Sequence, residues 1–213
     1  MQEHLGLAGR VALYRLDRDM SDEELVEWFV PVTEWGEDGL YHLVKPAKCS
    51  DREKQHRQVL ATHNTLTLAG INNILNNLSV PSQGGLNQES GLQPFGQILS
   101  VGNGPLNTSA TGAGIARNAY DVSGNGFATG SRKVPAAFTI VGFSVTITTN
   151  FFAGDAIGTW TNGGLYGAAT PFGGVFINAT TTAALGSLMT WFPISYVKGS
   201  SPYALAYTFT LSN

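Results

Sequence analysis

Charge is scarce over most of this chain. Of its 27 charged side chains, twenty fall in residues 1–59, and only seven are spread over the following 154 residues. The first stretch holds eight basic and twelve acidic side chains (−4) and the remainder four basic and three acidic (+1), which together give the net charge of −3. Neither part has the basic field that phosphate binding needs, so no nucleic-acid partner is expected. Cysteine is nearly absent: Cys49 stands alone, no intrachain disulfide can form, and burial must hold the fold. Histidine does not recur after His63. Long apolar runs are missing too. The longest, Ala136 to Val145, is about half a membrane span and is interrupted by Thr139, Gly142 and Ser144, so no membrane partner is expected. Glu3, Arg10, Arg15 and Asp17 occupy the region where a signal peptide would carry its apolar core, and export by that route is not expected. The sequons at Asn77, Asn107 and Asn178 then carry little meaning.

What is present divides at the same step in charge, giving an expected N-terminal attachment region, 1–59, and a β-rich domain, 60–213. In the first, Arg10 to Leu16 reads as a short strand. Ser21 followed by Glu24 is a capping box, which predicts a helix running to about Val30, where Pro31 stops it. Leu25, Val26, Trp28 and Phe29 form an apolar cluster on a helix too short to stand alone, so that face must rest on something else. Trp28, Phe29 and Trp35 are the candidate partner-docking residues. Gly39 to Val44 reads as a strand, and Ser50 with Glu53 as a second capping box opening a polar helix to about Ala61. Asp17, Asp19 and Ser21 are spaced like the start of a calcium loop but lack its glycine and its closing glutamate. Cys49, His56 and His63 recur every seven residues, about 10.5 Å apart on a helix, too far to share one metal ion.

In the second part, Thr67 to Leu78 is an amphipathic helix with Leu68, Ile71, Ile74, Leu75 and Leu78 as its stripe. Strand candidates follow at Phe95–Val101, Ile115–Tyr120, Ala137–Thr149, Ala156–Trp160, Val175–Asn178, Leu188–Val197 and Tyr203–Leu211. Glycine, asparagine or proline punctuates nearly every gap, and no helix intervenes. The expected fold is mainly β, an antiparallel sandwich of jelly-roll type with one amphipathic helix, preceded by a small α+β region. In the last strand Tyr203, Leu205, Tyr207, Phe209 and Leu211 alternate with Ala204, Ala206, Thr208 and Thr210. The second set is small and uncharged, which predicts that this face is covered as well, by another subunit. It is the candidate oligomer face.

A search for chemistry finds little. The glycines at 102, 104, 124, 126 and 130 lack the strand, helix and Lys-Ser/Thr ending of a phosphate loop and read as turns. There is no Gly-x-Ser-x-Gly elbow. Asp121 and Asp155 are the only carboxylates of the β-rich part beside Glu89, and they read as loop residues rather than a glycosidase pair. No catalytic residue, metal ligand or cofactor is expected. One stretch stays open as a candidate ligand tip: Trp160 and Tyr166 flank an Asn-Gly-Gly sequence beginning at Asn162, with core packing as its competing reading.

The run from His63 to Leu78, with Asn64, Thr67 and Gly70 spaced as Asn-x-x-Thr-x-x-Gly, is followed by Ile98 to Gly104 and closes on Tyr203 to Leu211. In that order these phrases resemble accessory virion proteins of tailed bacteriophages, in which a helix after such a phrase precedes a β-rich domain. The likeness covers roughly residues 60–213. It implies a non-enzymatic decoration, cement or neck component that assembles in the host cytoplasm, forms a homo-oligomer, commonly a trimer, and binds a capsid, neck or tail protein. The alternative it leaves is a tail-fibre protein that recognises a cell-surface glycan.

Overall fold

A computed structural model describes residues 6–66, 98–102, 132–168 and 185–212. Over these the chain is mainly β, with antiparallel sheets and two short helices. It divides into two compact units, each drawn from separate stretches: unit 1 comprises residues 1–64, 135–155 and 199–213, and unit 2 comprises residues 65–134 and 156–198. The boundary expected at residue 59 is therefore not the division between units. Charge density marks which residues meet water, whereas strand pairing decides which belong together, and the N-terminal strand pairs with the C-terminal one.

Unit 1 contains β1 (Gly6–Arg15), α1 (Asp22–Phe29), β2 (Val32–Trp35), β3 (Tyr41–Lys45), α2 (Asp51–Arg57) and β4 (Gln58–His63). To these the later stretches add β8 (Ala137–Val141), β9 (Ser144–Phe151) and β12 (Tyr203–Ser212), and unit 2 holds β5 (Thr65–Leu66), β6 (Ile98–Gly102), β7 (Arg132–Lys133), β10 (Gly158–Ala168) and β11 (Leu185–Lys198). The main sheet of unit 1 has the order β4-β1-β12-β9-β8, and β2 and β3 form a separate two-stranded ribbon. The final strand is thus central, as its alternation predicts. On one face Leu205 and Tyr207 of β12, Val11 and Leu13 of β1, and Ile147 and Phe151 of β9 are buried. The Tyr207 hydroxyl accepts from Asn64 Nδ2, whose side chain crosses directly over Gly9, a place no Cβ could occupy.

The other face of β12 is covered, but by this chain. Ala204, at 0% exposure, and Ala206 pack beneath Leu16, Leu25, Phe29 and Cys49, with Tyr14, Met20 and Trp28 at the margin. The alanines leave room for a helix to approach the sheet, and α1 buries Leu25 and Phe29 there. The expected oligomer face is corrected accordingly: its alanine half is intramolecular core. Beyond the helix, Thr208 and Thr210 are half-buried and hydrogen-bond sideways to Thr146 and Ser144 of β9, at 3.0 and 2.9 Å.

Both capping boxes form. Ser21 Oγ accepts from the Glu24 amide while Glu24 accepts from the Ser21 amide, and Ser50 and Glu53 do the same for α2. α2 ends at Arg57 rather than near Ala61, because residues 58–63 pair with β1 as an edge strand. The run Ala137 to Thr149 is likewise two strands: Gly142, at φ +52°, opens a two-residue turn between Val141 and Ser144 that needs left-handed backbone at its first position. Ion pairs tie the α1–α2 segment down: Arg57 to Asp17 (2.7 Å), Arg18 to Glu24 (2.9 Å) and Lys48 to Glu27. Asn150 Nδ2 adds bonds to the Met20 carbonyl and to Asp22, and Asp19 accepts from the Ala153 amide.

Unit 2 has a sheet of order β5-β11-β10-β6-β7. Trp160 is fully buried in β10 and its indole N–H donates to the Ala156 carbonyl at 2.7 Å. The predicted helix 67–78, the strands at 115–120 and 175–178, and Asp121 lie outside the described residues.

Two outcomes follow from this packing. Phe209→Ala should cost about 3–5 kcal/mol in chemical denaturation, as for a buried aromatic in a central strand. Ala204→Leu should cost about 1–3 kcal/mol by overpacking the α1 seat. An unchanged midpoint for either would contradict the register. The carboxyls of Asp17, Glu24 and Glu27 are held below their ordinary range by hydrogen bonds from Arg57, Arg18 and Lys48 respectively, and that of Glu53 by Ser50. A depressed folded-state pKa contributes stability that is present above the unfolded value, about 4, and is lost as pH falls through the folded value. The denaturation midpoint should therefore be lower at pH 3 than at pH 6, and equal midpoints would show that these pairs contribute nothing.

Candidate functional site

Two hairpins of unit 1 present large apolar side chains to solvent. The ribbon β2–β3 closes through residues 36–40, where the Gly36 amide donates to the Leu40 carbonyl (2.8 Å) and the Gly39 amide to the Gly36 carbonyl (3.1 Å). Gly39 takes φ +79° to make that turn. Asp38 accepts from the Leu40 amide (3.2 Å) and pairs with His42 (2.8 Å), and the His42 bond holds its carboxyl below the usual range. On this braced ribbon Trp35 stands 63% exposed, set edge-on to Tyr41 with ring centroids 5.0 Å apart. Val32, Leu43 and Val44 are exposed beside it.

The second hairpin is β8–β9. β2 and β3 pack against β8, and the Gly142 amide donates to the Tyr41 carbonyl at 2.9 Å, fixing one hairpin to the other. Phe143 at the turn is 64% exposed, and Phe138 and Val141 of β8 are exposed as well. Two neighbouring hairpins thus carry exposed apolar side chains, and the turn of the ribbon adds the exposed acids Glu37 and Asp38. Exposed apolar side chains scattered singly are ordinary. Several of them on neighbouring, hydrogen-bonded hairpins make this the candidate functional surface.

The three residues expected to dock a partner are thereby separated. Trp35 lies on this surface. Phe29 is buried in the cluster over Ala204 and Ala206, with the Lys54 ammonium 4.6 Å from its ring centroid. Trp28 is half-buried at the edge of that cluster, with the Arg57 guanidinium 5.1 Å over its ring. The short amphipathic helix rests on its own sheet, so its apolar face is not available to another molecule. Sequence reasoning missed Val32, Leu43, Val44, Phe138, Val141 and Phe143. The available signal was Phe143, a bulky apolar residue directly after a turn glycine.

The expected ligand tip is corrected too. Trp160 and Asn162 are both fully buried. The sequence Asn162 to Gly164 forms no turn: it runs inside β10, paired with β11 on one side and β6 on the other. Tyr166 continues the same strand, and its side chain lies outside the described residues.

The groups with chemical potential are occupied locally or kept apart. Cys49 is buried beneath α1 and burial pushes its thiol pKa up, while His56 sits exposed on α2 and His63 exposed on β4, so the three share no helix face. Asp17 pairs with Arg57, Ser21 caps α1, and Asp155 accepts from the Phe152 amide at 2.7 Å. No group of three or more His, Cys, Asp or Glu side chains converges among the described residues, and no helix among them is long and apolar enough to cross a membrane. No protein-family model, no curated protein and no solved structure matches this chain.

Proposed function

We propose that this protein is a non-enzymatic structural component of a tailed-phage virion, a decoration, cement or neck-attached protein that docks on a capsid, neck or tail protein. The observation that carries the reading is the set of exposed apolar side chains, Trp35, Leu43, Val44, Phe138 and Phe143, on two hydrogen-bonded hairpins. The exposed acids Glu37 and Asp38 in the turn after Trp35 suit a partner with an apolar patch rimmed by Lys or Arg. Hydrophobic burial supplies the affinity, and the charges set orientation. The phage assignment itself rests on the resemblance of residues 60–213, and a fold of jelly-roll type is part of that proposal. Nucleic acid, membrane and cofactor have no part in the proposal.

The test is particle occupancy. In virions assembled with the Trp35→Ala, Phe143→Ala chain, the amount bound per particle should fall at least tenfold, while thermal stability of the isolated variant stays within about 0.5 kcal/mol of the parent, as for exposed positions. Full occupancy of the variant would remove the docking surface, and absence of the parent chain from purified particles would remove the virion role.

Self-association, as a trimer, is the second element of the proposal. With Ala204 and Ala206 covered by α1, it depends on the threonine half of the sheet, Thr208 and Thr210 with their neighbours Ser144 and Thr146. Sedimentation equilibrium at micromolar concentration should give a trimer for the parent chain and a folded monomer for Thr208→Lys, Thr210→Glu. A parent chain that sediments as a monomer in solution and also occurs as isolated single copies on particles would rule self-association out.

A further inference from the structure

The ribbon β2–β3 has two faces of different chemistry. Directly paired residues on antiparallel strands project to the same side, and the side alternates along each strand. Trp35 with Tyr41 and Thr33 with Leu43 therefore make one face, while Glu34 with His42 makes the other. The turn brings a second acid to His42, whose Nε2 lies 2.8 Å from Asp38 Oδ1. One imidazole thus has a carboxylate in hydrogen-bond contact and another on the strand directly opposite, and all three side chains are exposed.

This set is tied to the backbone that carries Trp35. A Cβ built on Gly36, the residue after Trp35, would meet His42 Cδ2 at 2.6 Å and Asp38 Oδ1 at 2.8 Å, so ring and carboxylate lie directly on the turn. The same Asp38 oxygen accepts from the Leu40 amide at 3.2 Å, and the Leu40 carbonyl accepts from the Gly36 amide. The other charged groups of the ribbon are Glu37 in the turn and Lys45 at its far end, opposite Val32. β8, which packs against both strands, carries no titratable side chain.

The charge on His42 sets the strength of the contact. Protonated, the ring is a cation beside two carboxylates and its bond to Asp38 is charge-assisted. Neutral, it keeps at most an uncharged donor to Asp38 and loses the attraction to both acids. Histidine changes between these forms in the interval from about pH 5 to 8.

We propose that His42 is a proton-controlled brace of the ribbon: when protonated it holds the 36–40 turn closed beneath Trp35, and as pH rises it releases that turn. The brace also has an acidic limit. The His42 bond, and then the Leu40 amide, hold the Asp38 carboxyl below its ordinary range, so the contact persists through that range and is lost only as pH falls through the lowered value. Bracing is therefore strongest under mildly acidic conditions. Where Trp35 meets a partner, docking becomes pH-dependent, a consequence that rests on the function proposed above.

The test is protection of the Gly39 and Leu40 amides against solvent exchange in the full chain, each rate taken relative to an unstructured peptide at the same pH. In the parent, protection should fall about threefold between pH 5.5 and pH 8, the size expected of an exposed ion pair. His42→Gln keeps a polar side chain without a titrating charge and should give the same protection at both pH values. Slow exchange at Val11 and Leu205 checks that the variant is folded. Parent protection that does not change over this range would overturn the proposal, and so would a His42→Gln chain that responds as the parent does. Either result leaves the docking reading standing, because that reading is decided by particle occupancy of the Trp35→Ala, Phe143→Ala chain at a single pH. Full occupancy there would remove the docking consequence and leave the brace.

Discussion

Everything else in unit 1 depends on the pairing of β1 with β12. Ten consecutive residues of the N-terminal strand, Gly6 to Arg15, match ten of the C-terminal strand, Ser212 to Tyr203, without a break in register. That ladder puts Val11 and Leu13 beside Tyr207 and Leu205 on one face, and Ala12 and Tyr14 beside Ala206 and Ala204 on the other. The chain leaves β1 at Leu16, whose amide is held by the Pro202 carbonyl at 3.0 Å, and the next helix rests on the alanine face. A strand order with β1 elsewhere would leave Ala204 and Ala206 bare and Leu25 and Phe29 without a seat.

The same constraint decides which apolar residues remain outside. α1 and the segment around Cys49 use the alanine half of the sheet, and the ribbon β2–β3, carried between the two helices, meets the β8–β9 hairpin instead. Trp35 and Phe143 are therefore displayed on braced turns rather than absorbed into a core. Such placement has little value for folding stability. It costs exposed apolar area, a cost that the proposed docking role accounts for.

Local signals were legible and long-range ones were not. Ser21 and Ser50 each cap a helix through contacts three residues away, so their patterns could be read directly. The alternation in Tyr203 to Phe209 announced a central strand for a similar reason. By contrast, the end of α2 at Arg57 is set by pairing with β1, some forty-five residues earlier, and a polar helical pattern does not record that competition. Ala204 and Ala206, facing away from the core of β12, were read correctly as covered, but their cover is a helix of the same chain, which the β1–β12 ladder brings there. The Asn-Gly-Gly sequence at Asn162 looked like a turn, whereas Gly163 accommodates the Phe192 ring and Gly164 stays paired on both sides. The proposed docking surface was legible only through Trp35, because its other members come from two hairpins about a hundred residues apart in the chain.

The central claim is that the charged N-terminal part is an integral piece of the folded sheet, through β1, rather than an attachment appended to it. Amide hydrogen exchange of the intact chain tests this directly. Val11 and Leu13 of β1 should exchange as slowly as Leu205 and Tyr207 of β12, with the same dependence on denaturant, because neither strand can open without the other. Rapid exchange at Val11 and Leu13 while Leu205 and Tyr207 stay protected would contradict the account.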